Sequence, residues 1–195
     1  MKYDLCLIDP PWQYQNWTDK KNGAAISHYT TLKIDDLANL PISNITKDNS
    51  VLLVWATFPK LDEAINLIEK WGFKYITCLF VWNKIYKSNK PYCGLGFYTR
   101  SGSEICLLGK KGKGLPTISH NVRQVITAPV TRPHSSKPNE QVRKGIDELF
   151  GKDISKIEIF ARPPIANGWD AIGFEIDGKD IKDSLNNIIL TNNGK

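Results

Sequence analysis

The chain is poor in the residues that build metal centres and disulfide frameworks. Four of its 195 residues are cysteine and three are histidine. Cys6, Cys78, Cys93 and Cys106 form no C-x-x-C pair, and the histidines show no metal-ligand spacing, so no metal site is expected. Cys6, Cys78 and Cys106 each lie inside apolar runs and read as buried free thiols of a reducing compartment, the cytoplasm. No apolar stretch reaches the ~18 residues that span a bilayer, so no membrane association is expected. Met1-Lys2-Tyr3-Asp4 leads straight into a strand-like run, so no leader peptide is expected. Internal repeats and linker-like stretches are also missing.

What is present suits one globular domain. Hydrophobic residues make up 41% of the chain and charged residues 24%, enough for a full core under an ordinary surface. The net charge of +6 leans toward a polyanionic partner, although a basic solvated surface explains it equally well. Short apolar runs at residues 3–8, 50–56, 75–82, 104–108, 123–127 and 157–161 read as strands. Between them, Pro59 opens a helix that places Leu61, Ala64, Ile65, Ile68 and Trp71 on one face and stops at Gly72. Pro138 opens another, with Val142, Ile146, Leu149 and Phe150 facing the core and Gly151 as its cap. Apolar strands alternating with amphipathic helices predict an α/β fold, a mostly parallel sheet covered on both faces. The domain is expected over residues 1–175. Residues 176–195 form a polar tail that holds one helix with Ile181, Leu185 and Ile189 and frays at its end.

In open α/β sheets the working residues sit just past the carboxyl ends of strands. The first strand ends in Asp9-Pro10-Pro11-Trp12, a tetrapeptide expected by chance in such a chain with odds on the order of one in a thousand or less. Its chemistry is coherent. An exocyclic amine on adenine is a poor nucleophile, because its lone pair is delocalised into the ring. A carboxylate and a backbone carbonyl that accept its two N–H bonds favour a more tetrahedral nitrogen. Asp9 supplies the carboxylate. Pro10 supplies a carbonyl on a backbone that the Pro-Pro pair stiffens, so the acceptor is held in place before the reaction. Trp12 offers a flat surface on which a base can stack. The competing structural reading is a Pro-Pro turn followed by a half-buried tryptophan.

The tetrapeptide resembles the signature of the DPPW-type adenine-N6 methyltransferases, which include the catalytic subunit of the eukaryotic mRNA adenosine methyltransferase and many bacterial and phage enzymes. The resemblance covers roughly residues 3–175. It continues in order through His28-Tyr29, Val54-Trp55, Val81-Trp82-Asn83-Lys84, Gly94 to Arg100, Ser103 to Gly109, His134-Ser135-Ser136-Lys137-Pro138, Glu158-Ile159-Phe160-Ala161-Arg162, Gly168-Trp169-Asp170 and Gly173-Phe174-Glu175. It implies a Rossmann-like S-adenosylmethionine-dependent methyltransferase sheet with permuted motif order, catalytic motif first and cofactor strand late, and an antiparallel edge strand near one side. It implies S-adenosyl-L-methionine as cofactor and nucleic acid as substrate.

The same resemblance distributes the site. Asp9, Pro10, Pro11 and Trp12 are implied catalytic residues. Asp9, Lys137, Arg162, Gly173 and Glu175 are implied cofactor contacts. Lys137 stands just before a helix N-terminus, where the cofactor's carboxylate is welcome, and Glu175 can accept hydrogen bonds from a ribose diol. Phe174 replaces an amide that family members direct at the cofactor. Trp12, Tyr29 and Arg100 are the implied nucleic-acid contacts, Arg100 within residues 84–103, where lysines, glycines and tyrosines mix. DNA is favoured over RNA, because the compact chain carries no accessory RNA-binding module. A second subunit, or another copy of the chain, is expected to help with duplex substrates. Three other readings compete: cytosine-N4 chemistry, in which a serine usually stands in place of Asp9; a non-catalytic partner subunit, which typically loses the tetrapeptide; and a simple basic binding module, which leaves Asp9 to Trp12 and Lys137 unexplained.

Overall fold

Period-two alternation along the strands sorts the apolar residues of this chain onto two faces, and helices cover both. The computed structural model describes residues 2–13, 32–131 and 137–193. His28, Tyr29, His134, Ser135 and Ser136 therefore lie outside the described residues. In order, the elements are β1 (Tyr3–Ile8), α1 (Ile34–Ala38), α2 (Ile42–Ile45), β2 (Thr46–Ala56), a 3-10 turn (Phe58–Lys60), α3 (Leu61–Lys70), β3 (Lys74–Ile85), β4 (Ser103–Lys111), β5 (Val125–Pro129), α4 (Asn139–Phe150), β6 (Lys156–Ile159), β7 (Asp170–Ile172), α5 (Phe174–Asp177) and α6 (Ile181–Asn193).

The strands form one seven-stranded sheet in the order β5-β3-β4-β2-β1-β6-β7. β1, first in the chain, sits near its middle and pairs in parallel with β2 and β6. β7 adds in parallel to β6, and β5 to β3. Among the described strands β4 alone runs against its neighbours, β2 and β3. The carboxyl ends of the six parallel strands and the amino end of β4 thus share one edge of the sheet. The mixed sheet with helices on both faces is the α/β architecture expected from the sequence.

One face packs Cys6, Ile8, Leu52, Val54, Leu107, Ile157 and Ile159 under Leu37, Ile42, Ala64, Leu67, Ile68 and Leu185 from α1, α2, α3 and α6. The other packs Leu5, Leu7, Val51, Leu53, Trp55 and Cys106 under Val142, Ile146 and Phe150 of α4. The 3-10 turn carrying Pro59 leads into α3, whose first turn is acidic (Asp62, Glu63) and whose last carries Lys70, as the helix dipole favours. α4 ends at Gly151, where φ is +94° and the N–H still donates to the Asp147 carbonyl, a conformation costly for any residue with a Cβ.

Several expectations shift. The buried stripe of α3 is Ala64, Leu67, Ile68 and then Trp71, while Leu61 is 36% exposed. The stripe is rotated because α3 packs against β2, β3 and β4 together. The antiparallel strand is interior rather than at the edge: β3 and β4 form a hairpin, and β5 pairs outside β3. The three-residue strand β7 was not foreseen, being too short to show a period. The tail helix does form, with Ile181 and Leu185 buried against the core. No described helix is long and apolar enough to cross a membrane.

Because Leu185 is fully buried in the main cluster, Leu185→Ala is expected to lower unfolding free energy by ~2–4 kcal/mol. Urea denaturation followed by circular dichroism measures this. A tail that merely lies on the surface would leave the midpoint unchanged.

Candidate active site

The last residues of the strands bring the site together. Leu5 and Leu7 point toward α4, so alternation sends Asp9, two residues on, to the same side. On β4, Glu104 precedes Cys106 by two and shares its face. On β3, Lys84 follows Trp82 by two and shares its own. Lys137 enters that space from the start of α4.

The four charges meet in a row. Lys137 Nζ lies 3.2 Å from Asp9 Oδ1 and 2.5 Å from Glu104 Oε2. Glu104 Oε1 accepts from Lys84 Nζ on its other side. Lys84 and Glu104 are buried, and Asp9 keeps 38% of its side chain exposed. Aromatic faces flank the ammonium groups: Trp55 lies 5.5 Å from Lys137 Nζ, Trp82 4.8 Å and Tyr92 5.7 Å from Lys84 Nζ.

Burial and pairing pull these groups in opposite directions. Burial raises the Asp9 carboxyl above the usual aspartate range; Lys137 works against the rise and Glu104 adds to it. Burial also pushes Glu104 up, but Lys137 and Lys84 together outweigh it and hold that carboxyl below the ordinary glutamate value. Burial disfavours the charged form of Lys137, yet Asp9 and Glu104 overcome this and fix its proton more firmly than in a free lysine. Of the two carboxylates in the row, Asp9 is thus the more easily protonated.

The loop after β1 is held tightly. The Trp12 N–H donates to the Pro10 carbonyl at 2.8 Å, and the Pro11 carbonyl accepts from the Leu32 N–H at 3.4 Å. Trp12 is not the exposed stacking surface expected from the sequence. It is 8% exposed, belongs to the main hydrophobic cluster, and its Nε1–H donates to the Trp55 carbonyl at 3.0 Å. A large apolar ring with one donor is best satisfied there, so it anchors the loop to β2 instead of facing solvent.

Arg162 follows β6 and Glu175 lies in α5 after β7, so parallel neighbours deliver both to the same edge. Arg162 Nε and Glu175 Oε1 are 3.2 Å apart, each about half exposed. Gly173 lies so close to the chain after β6 that a Cβ would meet the Ala161 carbonyl oxygen at 2.8 Å. Phe174 projects into solvent, 77% exposed. Arg100 is exposed on the turn between β3 and β4, whose tip also displays Leu95, Phe97 and Tyr98. A separate buried pair, Arg143 with Glu158, joins α4 to β6 below the site.

The structure thus joins Asp9 to Lys137 and Arg162 to Glu175, places Arg100 on the same edge, and moves Trp12 into the core. Lys84 and Glu104 stood in motifs without an assigned role. Their signal was present: a charged residue two positions from a buried aromatic or cysteine in an apolar strand.

Trp12→Ala is expected to destabilise the fold by ~3–5 kcal/mol, the cost of emptying a core aromatic site. Trp12→Phe should lose only ~0.5–1.5 kcal/mol with the indole hydrogen bond. Denaturant melts of the two variants read this difference. A wild-type midpoint for Trp12→Ala would return the ring to the surface.

Comparison with known proteins now has a geometry to explain. The chain is 36% identical over 198 residues to the Type II methyltransferase M.MunI of a Mycoplasma species, covering 93% of this chain and 81% of that protein. It is 24% identical to the N6-methyladenosine RNA methyltransferase MTA1 of Pyricularia oryzae, covering 89% of this chain and 47% of that one. A shorter likeness, 32% over 117 residues, spans 57% of this chain and 14% of the N6-adenosine-methyltransferase non-catalytic subunit MTB of Arabidopsis thaliana. Residues 3–175 match the MT-A70 family, nearly the whole sheet with Asp9 at one end of the match and Glu175 at the other, so the protein belongs to the MT-A70 family of S-adenosylmethionine-dependent methyltransferases.

Proposed function

We propose that the chain methylates the N6 amine of adenine in DNA, with Asp9 as the group that accepts and orients that amine. The observation that carries this reading is Asp9 itself: a partly exposed carboxylate at the middle of the sheet's working edge, biased toward accepting a proton by burial, with Lys137 working against that bias. The whole-length likeness to a type II methyltransferase favours DNA over RNA, since the RNA methyltransferase is matched over less than half its length. The non-catalytic reading, which the shorter likeness to the MTB subunit raises, is disfavoured by the intact Asp9-Pro10-Pro11-Trp12 and its charge partners.

The residues present fit S-adenosylmethionine. A glycine at 173 lets the chain after β6 and the turn into α5 pack closely, where a Cβ would meet the Ala161 backbone. Glu175 offers acceptors for a ribose diol, and Arg162 beside it holds that carboxylate in place. Lys137 donates to two carboxylates and has a third N–H for the cofactor's own carboxylate. Trp55 Nε1 is a buried donor without a partner among the described residues, a further available hydrogen bond at the wall of the site. The bound cofactor supplies an electrophilic methyl group.

The chain's own residues prepare the amine. Asp9 accepts one N–H. The Pro10 carbonyl, which takes the Trp12 N–H on one lone pair, has the other for the second N–H. Both acceptors are fixed before the base arrives, so little reorganisation is needed as charge develops on nitrogen. The nitrogen gains a carbon and gives up a proton, and the raised affinity of Asp9 for a proton suits it to hold that proton before release to solvent. Arg100 and the exposed turn between β3 and β4 meet the nucleic acid on the same edge, and the net charge of +6 favours phosphate contacts. The four cysteines are free thiols, as suits a cytoplasmic enzyme.

Asp9→Ala is expected to lower kcat by several orders of magnitude with little change in cofactor affinity, whereas Glu175→Ala should weaken the cofactor about ten- to hundredfold, the loss of ~1.5–3 kcal/mol from a charged hydrogen bond. In the wild type, activity should fall as pH drops through a midpoint above the ordinary aspartate value of ~3.9, because the protonated carboxyl no longer draws the amine. Radiolabelled methyl transfer and isothermal calorimetry separate these effects. An Asp9→Ala enzyme with a tenth of wild-type activity would sink the assignment.

The target amine lies in the Watson–Crick edge, so the base must leave the stack, which costs least in single strands. The isolated chain is expected to prefer unpaired adenine, or to act on duplex only with a second subunit or second copy, and to bind more weakly as salt rises. Matched single- and double-stranded oligonucleotides, assayed with sizing at the same concentration, test this. A monomer equally fast on duplex at one defined site would overturn it.

A further inference from the structure

Lys137 is shared unequally between its two carboxylates. It is 2.5 Å from Glu104 and 3.2 Å from Asp9, although Asp9 is the one facing the site. Glu104 is the more buried, and Lys84 clamps its other oxygen. Lys84 is itself fixed by the hairpin: its N–H donates to the Gly102 carbonyl, its carbonyl accepts from the Tyr92 N–H, and its ammonium lies over Trp82 and Tyr92. The sheet register sets Glu104 opposite Trp82, so β3 and β4 hold the lysine and the glutamate at a fixed separation.

An ammonium paired with Asp9 alone would settle on the carboxylate and occupy the oxygen that the substrate needs. An ammonium drawn mainly to a second anion leaves that oxygen open while still keeping Asp9 charged. We propose that Glu104, anchored by Lys84, is a positioning residue that draws Lys137 off Asp9, so that Asp9 presents a free, anionic oxygen to the acceptor amine. The inference rests on the reading of Asp9 as that acceptor. It assigns roles to two residues that the amine chemistry alone does not require, and it makes the hairpin between β3 and β4 part of the catalytic geometry.

The groups that act on Asp9 come from every neighbouring element. Lys137 stands at the start of α4, Glu104 and the Cys106 thiol on β4, and Arg162 after β6; Glu158 on β6 senses Asp9 and is balanced by Arg143 of α4. Glu104→Gln removes a like charge and releases Lys137 toward Asp9, and both changes lower the Asp9 midpoint. Lys84→Met leaves Glu104 with Lys137 as its sole partner in the row and draws that lysine further away, which raises the midpoint. Arg162, Glu158 and Arg143 are the same in all variants, so the two shifts must have opposite signs.

The test is carboxyl carbon-13 NMR titration of Asp9 in the free protein, for wild type, Glu104→Gln, Glu104→Asp and Lys84→Met, with folding checked by circular dichroism. The expected result is a downward shift for Glu104→Gln, a smaller downward shift for Glu104→Asp, and an upward shift for Lys84→Met. With oligonucleotide substrate and saturating cofactor, kcat of Glu104→Gln should fall by at least about tenfold while KM for the oligonucleotide stays within about twofold, because the phosphate contacts are untouched. If Glu104→Gln does not fold, Lys84→Met decides by the sign of its shift. Shifts of one sign in both variants, an unmoved Asp9 midpoint, or a kcat of Glu104→Gln within about twofold of wild type, as a structural ion-pair network would leave it, would overturn the proposal. Because titration is read without substrate or cofactor, it fails or succeeds independently of whether Asp9→Ala abolishes methyl transfer.

Discussion

Two lysines and two acids, alternating in sign across the ends of β1, β3, β4 and α4, form the interaction on which the working edge depends. Lys84, Glu104 and Lys137 are too buried to be left alone, and Asp9 is partly exposed beside them. Removing one partner from a buried pair typically costs ~3–5 kcal/mol, because it strands an uncompensated charge. Replacing the whole row by apolar residues of similar volume would remove that liability and could leave the fold more stable. Keeping all four charges is therefore what the proposed chemistry would require, not what stability alone would select. The row also fixes distances between elements that are far apart in sequence: residue 9 to residue 137, and residue 84 to residue 104. Backbone pairing alone sets the strands side by side, but the charges decide where the carboxylate of Asp9 points.

How far this was legible in the sequence depends on the scale of the signal. Leu5, Leu7 and Val51 to Trp55 lie in runs long enough to announce strands, and Val142, Ile146 and Phe150 repeat with helical spacing. Asp9 stood out because it ended such a run in an uncommon tetrapeptide. β7 is three residues long and α5 four, so neither offers a period to read, and their existence follows from β6 lending them an edge. Trp12 was misjudged for a different reason. Sequence shows that an indole follows the turn, but which side it takes depends on the Trp55 carbonyl, 43 residues away. The partners of Lys137 were hidden in the same way. Proximity to a helix start suggested an anion; that the anions would be this chain's own Asp9 and Glu104 required the register of β4 against β3.

Alternation explains why the site is compact despite this long-range assembly. Asp9, Glu104 and Lys84 each continue a series of residues that already faces α4, so no special backbone conformation is needed to aim them. Special conformations do occur nearby, where the chain after β6 turns: Phe160 has φ of +60°, a region disfavoured for an aromatic residue, and Gly173 approaches Ala161 where a Cβ would clash. The two halves of the edge are therefore built by different means. The half proposed for the amine continues regular strands and is held by charge. The half proposed for the cofactor is shaped by turns, with Arg162 and Glu175 more exposed than any member of the row.

That division follows from what each half must tolerate. A carboxylate that accepts an amine proton must be basic, which burial and a neighbouring acid provide, and also charged at neutral pH, which a neighbouring lysine provides. These demands conflict, and only a fixed balance of one lysine between two acids meets both. Such a balance fails if distances drift, because the favourable and unfavourable interactions fall off at different rates as partners move. Regular strands, with their ladders of backbone hydrogen bonds, hold distances better than turns do. A ribose diol or a cofactor carboxylate makes no comparable demand: a hydrogen bond to a charged partner survives small displacements, and partial exposure lets the ligand enter and its product leave. On the proposed reading, the half held by the charge row is where proton affinity is tuned, and the more exposed half is where ligands can exchange.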